Sequence, residues 1–185
     1  FHVTGVQTCA LPISGDPVNG RELWVTDGTA AGTAMVKDIA AGFNSSGPQG
    51  FTLLGNGKAV FNAYDPVNGY ELWVTDGTAA GTMLMKDIAR GLALYPEEFT
   101  DLGNGKAVFR AQDPVNGGEL WVTDGTAAGT ALVKDINAGA NGSNPYGITL
   151  LGNGKAVFNA YDPANGSELW VTDGTAAGTA LVKDI

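Results

Sequence analysis

The chain predicts an all-β fold made of β-propeller-type blades, each of four antiparallel strands. Three observations predict it. The phrase Glu-Leu-Trp-Val-Thr-Asp-Gly-Thr-Ala-Ala-Gly-Thr recurs four times, starting at Glu22, Glu71, Glu119 and Glu168. The Trp residues at 24, 73, 121 and 170 set a period of 49, 48 and 49 residues, and a fixed period near ~50 marks stacked supersecondary units. Within each period, β-branched and aromatic runs alternate with Gly-, Asn- and Asp-rich turns, which is the pattern of several short strands.

The period from 50 to 88 shows the elements in order. Phe51-Thr52-Leu53-Leu54 is a short apolar first strand, and Gly55-Asn56-Gly57 is a hairpin turn whose residues tolerate positive φ. Residues 58–64 form the second strand. Asp65-Pro66-Val67-Asn68-Gly69 then turns the chain, with Pro setting φ and Asp and Asn bonding local backbone. Residues 71–75 are the third strand, Asp76-Gly77-Thr78-Ala79-Ala80-Gly81 the next turn, and residues 82–88 the fourth strand. Four strands per period match a propeller blade.

The turns also predict a register. With Tyr64 opposite Tyr70 and Thr75 opposite Thr82, Phe61 faces Trp73, Trp73 faces Leu84, and Glu71 faces Lys86 as a cross-strand ion pair. The same arithmetic gives Phe109–Trp121–Leu132 with Glu119–Lys134, and Phe158–Trp170–Leu181 with Glu168–Lys183. Leu72 and Val74 make the other face apolar too. A sheet apolar on both faces must be sandwiched between neighbours.

The expected organisation is about three and a half blades, an open fragment of a longer array: a half blade over 15–39, then blades over 40–88, 89–136 and 137–185. Residues 1–14 break the repeat. Where later copies carry Leu-Gly-Asn-Gly-Lys-Ala-Val-Phe, the chain begins Phe1-His2-Val3-Thr4-Gly5-Val6 and continues to Ser14. The stretch resembles the conceptual translation of a short-read sequencing adapter and is read as a non-native scar. Pro12 would fall opposite Trp24, a poor place for proline in a central strand. The only cysteine, Cys9, and the only histidine, His2, lie in this stretch. Setting it aside removes Cys/His zinc sites, cysteine nucleophiles and Ser-His-Asp triads.

The formal net charge of −9 opposes a phosphate backbone, so no nucleic-acid partner is expected. No apolar run is long enough for a membrane-spanning helix, so no membrane insertion is expected.

With Glu22-Leu23-Trp24, Asp27-Gly28-Thr29 and their three later equivalents in view, the chain resembles the bacterial ELWxxDGT repeat family over residues 15–185. That resemblance implies a propeller-like repeat region of a large secreted or cell-surface bacterial protein. One departure is the valine after each Trp, at Val25, Val74, Val122 and Val171.

No catalytic, cofactor-binding or metal-ligating residue is expected. The Trp set reads as packing between blades rather than a sugar platform. The Asp-Pro-x-Asn-Gly turns at Asp16, Asp65, Asp113 and Asp162 read as turn chemistry rather than calcium loops, as do the Asp-Gly-Thr turns at Asp27, Asp76, Asp124 and Asp173. The non-repeated polar residues Arg21, Arg90, Glu97, Glu98, Asp101, Arg110 and Gln112 look scattered. The expected function is a non-catalytic scaffold or adhesion module. Its partners would be a glycan or protein ligand and the neighbouring blades of the parent chain. Specificity would sit in the connectors around Phe43-Asn44-Ser45, Tyr95-Pro96-Glu97 and Asn144-Pro145-Tyr146. Two alternatives stand beside it: a fragment of a propeller enzyme resembling glycan hydrolases, with its active site in other blades, and a calcium-stabilised lectin.

Overall fold

The computed structural model describes residues 9–12, 17–88 and 96–184. They form four antiparallel sheets in chain order, with no helix among the described residues. Blade 1 is β1 (Cys9–Pro12), β2 (Leu23–Thr26) and β3 (Ala34–Lys37). Blade 2 is β4 (Gln49–Leu53), β5 (Ala59–Asp65), β6 (Gly69–Thr75) and β7 (Met83–Lys86). Blade 3 is β8 (Glu97–Asp101), β9 (Ala107–Asp113), β10 (Gly117–Thr123) and β11 (Ala131–Lys134). Blade 4 is β12 (Tyr146–Leu150), β13 (Ala156–Asp162), β14 (Gly166–Thr172) and β15 (Ala180–Lys183). Each sheet is a simple meander, its strands paired in sequence order. The chain is therefore an open array of propeller-type blades.

The aromatic belt forms in the expected register. Tyr64 pairs with Tyr70, Phe61 with Trp73 and Trp73 with Leu84, and blades 3 and 4 repeat the pattern. Phe51 and Phe99 extend the belt to the first strand by stacking on Phe61 and Phe109 at 4.9 and 5.1 Å between centroids. The Phe–Trp face of each blade packs against the Leu–Val face of the blade before it. Leu23 meets Phe61 and Trp73 at the first interface, and Leu72 and Val74 meet Phe109 and Trp121 at the second. Leu120 meets Phe158 and Trp170 at the third. The core therefore lies between blades rather than within one. It also accounts for the valine after each Trp: Val74, on the opposite face from Trp73, is buried against blade 3. The first strands adjoin across blades, Thr52 Oγ1 donating to Phe99 O at 3.5 Å and Thr100 Oγ1 to Ile148 O at 3.1 Å. This convergence puts them on the inner side of the arc.

Blade 1 departs from expectation. It holds three strands rather than two, because Cys9–Pro12 forms an edge strand on β2. Leu11, not Pro12, lies opposite Trp24, and Pro12 lies opposite Leu23. The partner of Trp24 sits 13 residues before it, against 12 for Phe61 and Trp73, so the connection is one residue longer than in blade 2. The shift leaves proline at the end of an edge strand, where a missing N–H is tolerated. The rest of the stretch read as a scar, including His2, lies outside the described residues, as does Arg90.

Candidate functional site

The repeated charges fasten blades and connectors together. The predicted Glu–Lys ion pairs do not form. In β6 and β7 the register shifts between Leu72 and Trp73, so Lys86 pairs with Leu72 instead of Glu71. This β-bulge turns the lysine to the face that meets the next blade. Lys86 Nζ donates to Thr130 O at 2.7 Å and lies 5.6 Å from the Trp121 ring centroid. Lys37 does the same to Thr82 O and Trp73, and Lys134 to Thr179 O and Trp170. Each lysine is thus a staple between one blade and the next.

The glutamates turn the other way, into the connector that leaves their own blade. Glu22, Glu71 and Glu119 are fully buried. Glu119 Oε1 accepts the N–H groups of Asn137 at 3.1 Å and Ser143 at 2.7 Å, and Oε2 accepts the Ser143 hydroxyl at 2.6 Å. Glu22 makes the equivalent set with Ile39, Ala40 and Ser46. Burial pushes the Glu119 carboxyl above its ordinary value, against the opposing pull of the Ser143 hydroxyl and the backbone donors. Ser46 and Ser143 were missed in the sequence, although each lies 24 residues after its glutamate.

The aspartate turns are self-contained. Asp76 Oδ1 accepts the Thr78 N–H and hydroxyl at 2.9 and 2.7 Å, and the Thr78 hydroxyl accepts Gly81 N–H at 3.0 Å. The Thr78 hydroxyl is the main cause holding the Asp76 carboxyl below its ordinary value; Asp27, Asp124 and Asp173 follow the same pattern. In the other turn, Asp65 Oδ1 accepts Val67 and Asn68 N–H, and Oδ2 accepts the Asn68 amide. These oxygens already face donors, which suits a turn better than a cation. Among the described residues, no three His, Cys, Asp or Glu side chains gather as a metal cluster. The turn depends on glycine for space, since a Cβ on Gly81 would lie 2.0 Å from Asp76 Oδ1. Gly81→Ala is expected to displace the carboxylate and destabilise the chain by about 1–3 kcal/mol, read by urea unfolding. A variant as stable as wild type would show that the turn repacks freely.

The sequence left the non-repeated polar residues scattered; the structure brings several together at the connector end of blades 3 and 4. Glu97 and Arg110 are cross-strand partners and form an ion pair. Arg110 Nη2 also donates to Asn144 Oδ1 at 3.1 Å, reaching the connector into blade 4. Gly118 makes room for this, because a Cβ there would lie 2.6 Å from Asn144 Oδ1. Blades 2 and 4 have Tyr70 and Ser167 at the position of Gly118, and Asn62 and Asn159 at that of Arg110. Beside the pair, Glu98 has φ 59°, where blades 2 and 4 have Gly50 and Gly147 at φ 71° and 67°. A glutamate in the left-handed region is strained. Its carboxylate accepts Gly147 N–H at 3.0 Å and Ile148 N–H at 3.3 Å, tying blade 3 to blade 4. Aligning the first strands would have found it as the one Glu among glycines. Arg21 and Asp101 stand apart from this group, bonded to Ser45 and Gly103 respectively.

No protein-family model matches the chain, and comparison with curated proteins finds no match. Solved structures do match. Puromycin hydrolase is similar at a TM-score of 0.58 and 14% identity, over 86% of this chain and 24% of that one. A variant of puromycin hydrolase complexed with PGG gives 0.56 and 14%, over 89% of this chain and 24% of that one. The chain thus spans about a quarter of the length of these proteins. At this identity the likeness concerns the fold alone.

Proposed function

We propose that the chain is a non-catalytic recognition module: a scaffold and adhesion segment of a larger secreted or surface protein of a bacterium, binding a glycan or protein ligand through its variable connectors. The observation that carries this reading is the division of labour between residues. The repeated Glu, Lys, Asp and Thr side chains hold turns, connectors and blades together. Several of the side chains that differ between blades meet at one rim, where Glu97, Arg110, Asn144 and the 58% exposed Tyr146 lie on adjoining strands and their connector. Phe43, in the connector between blades 1 and 2, is 82% exposed. An arginine and exposed aromatic rings in variable loops suit recognition.

The test is a screen of the chain on a glycan array and against surface proteins, followed by Arg110→Ala/Tyr146→Ala. The expected result is a ligand whose affinity falls tenfold or more in the double variant, about 1.4 kcal/mol, while the melting temperature holds. Binding indifferent to both residues would overturn the reading.

A second reading, a segment of a propeller hydrolase with its active site in other blades, is favoured by the fold likeness to puromycin hydrolase. Hydrolytic activity of the parent protein, toward a glycan or toward puromycin, lost on mutation of a residue in those other blades, would support it.

A further inference from the structure

Blades 2, 3 and 4 each carry two Asn-Gly pairs in their turns. Asn56-Gly57, Asn104-Gly105 and Asn153-Gly154 lie in the hairpins between the first and second strands. Asn68-Gly69, Asn116-Gly117 and Asn165-Gly166 lie between the second and third strands. An asparagine before glycine is open to attack of the next backbone nitrogen on its own carboxamide, because glycine has no side chain to shield that nitrogen. The fold treats the two sets differently.

Between the second and third strands the asparagine is clamped. Asn68 N–H donates to Asp65 Oδ1 at 2.9 Å, and its Nδ2 reaches both carboxylate oxygens, at 3.1 and 2.9 Å. Asp113 holds Asn116 through N–H at 2.9 Å and Nδ2 at 2.8 Å, and Asp162 holds Asn165 at 3.0 and 2.9 Å. All three asparagines are half-buried, and the glycine that follows each begins a strand. The carboxamide cannot swing onto the next nitrogen without leaving its aspartate. That carboxylate also opposes the negative charge that builds as the nitrogen loses its proton and attacks.

In the hairpins the asparagines are exposed. Asn56 and Asn104 accept through Oδ1 the N–H of the lysine two residues on, at 3.1 and 3.2 Å. That bond folds the carboxamide back over the intervening glycine peptide and polarises its carbonyl toward attack. Asn56 Nδ2 has a single 3.5 Å contact to Asp124 O, and among the described residues Nδ2 of Asn104 and of Asn153 has no acceptor. Lys58, Lys106 and Lys155 follow these glycines, so the local charge is positive where the other turns hold an aspartate.

We propose that Asn56, Asn104 and Asn153 are sites of spontaneous deamidation and that Asn68, Asn116 and Asn165 are protected. The glycine nitrogen gives its proton to solvent and bonds to the asparagine Cγ. The Cγ–Nδ2 bond breaks, and the amide takes up a proton and leaves as ammonia. Water then opens the cyclic imide to aspartate or isoaspartate. Each event adds one negative charge at the end of the blades away from the Glu97–Arg110 rim. The iso form also inserts a methylene into the hairpin, which in blade 3 is closed by Leu102 N–H donating to Lys106 O at 2.9 Å.

The test is to hold the full chain folded at neutral pH and body temperature for weeks and to map deamidation by mass spectrometry. Trypsin cuts after Lys58, Lys106 and Lys155 and so separates the two turns of each blade. The expected result is conversion at the hairpin asparagines at least about tenfold faster than at the clamped ones. In guanidinium the chain unfolds, the clamps are lost, and the difference should shrink severalfold. Equal rates in the folded chain, or faster loss at Asn68, Asn116 and Asn165, would overturn the inference. So would a preference that persists undiminished on unfolding, because sequence neighbours and not the fold would then set it.

Discussion

Trp121→Ala is expected to lower the unfolding free energy by about 3–5 kcal/mol, read from urea unfolding at neutral pH. Trp121 is 7% exposed and closes the interface between blades 2 and 3 against Leu72, Val74 and Met85. Truncation removes that burial and leaves a cavity that rigid neighbouring sheets cannot collapse to fill. It also removes the ring beneath Lys86, a contact contributing about 0.5–2 kcal/mol. Trp24→Ala is the internal control. It removes the same residue from the same repeat position, but from a half-buried outer face. Its cost should be less than half as large in a monomeric sample. Equal costs at the two positions would show that the tryptophans act within their own sheets, not between blades.

Glu119→Ala is expected to cost about 3–5 kcal/mol, because it strands the Asn137 and Ser143 N–H groups and the Ser143 hydroxyl in a buried place. Local opening should follow in the connector over 137–145, visible as faster amide exchange at Asn137 and Ser143. The cost should depend on pH. Burial raises the folded-state pKa of Glu119 above its ordinary 4.5. The folded chain therefore holds this proton more tightly than the unfolded chain. The contribution of Glu119 is fully present below 4.5 and declines as pH rises through the folded-state value. The difference between wild type and variant should then be larger at pH 4 than at pH 7. A difference that grows toward pH 7 would mean that the hydrogen bonds outweigh burial. Glu119→Gln should be milder, since its carbonyl oxygen still accepts one donor.

Much of the blade was legible along the chain. Period-2 alternation in a strand admits only one face for Trp73 once Tyr64 and Tyr70 are set opposite each other, and the observed pairs Phe61–Trp73 and Trp73–Leu84 follow from that arithmetic. The arithmetic failed one residue further on, at Glu71 and Lys86. A bulge between Leu72 and Trp73 adds a residue to one strand, and no turn motif announces it. The failure at Pro12 has the same form: one extra residue in a connection moved Leu11 opposite Trp24.

The candidate site was less legible. Glu97, Arg110 and Asn144 span 47 positions, and each looks like an isolated departure from the repeat. They meet because a second strand of one blade lies beside the connector to the next.

The sequence by itself determined what recurs: the period, the four-strand blade, the turn chemistry, the aromatic belt and the two apolar faces. Those depend on local φ/ψ preference and on side-chain alternation, which act within a few residues. Only the tertiary structure decided where the charges point. Glu119 turns into its connector, Lys86 crosses to the next blade, and Arg110 bridges to Asn144. Such choices depend on which groups lie within reach after the blades stack. A buried carboxylate or a bulged lysine takes the nearest unsatisfied partner in space, whatever its distance along the chain.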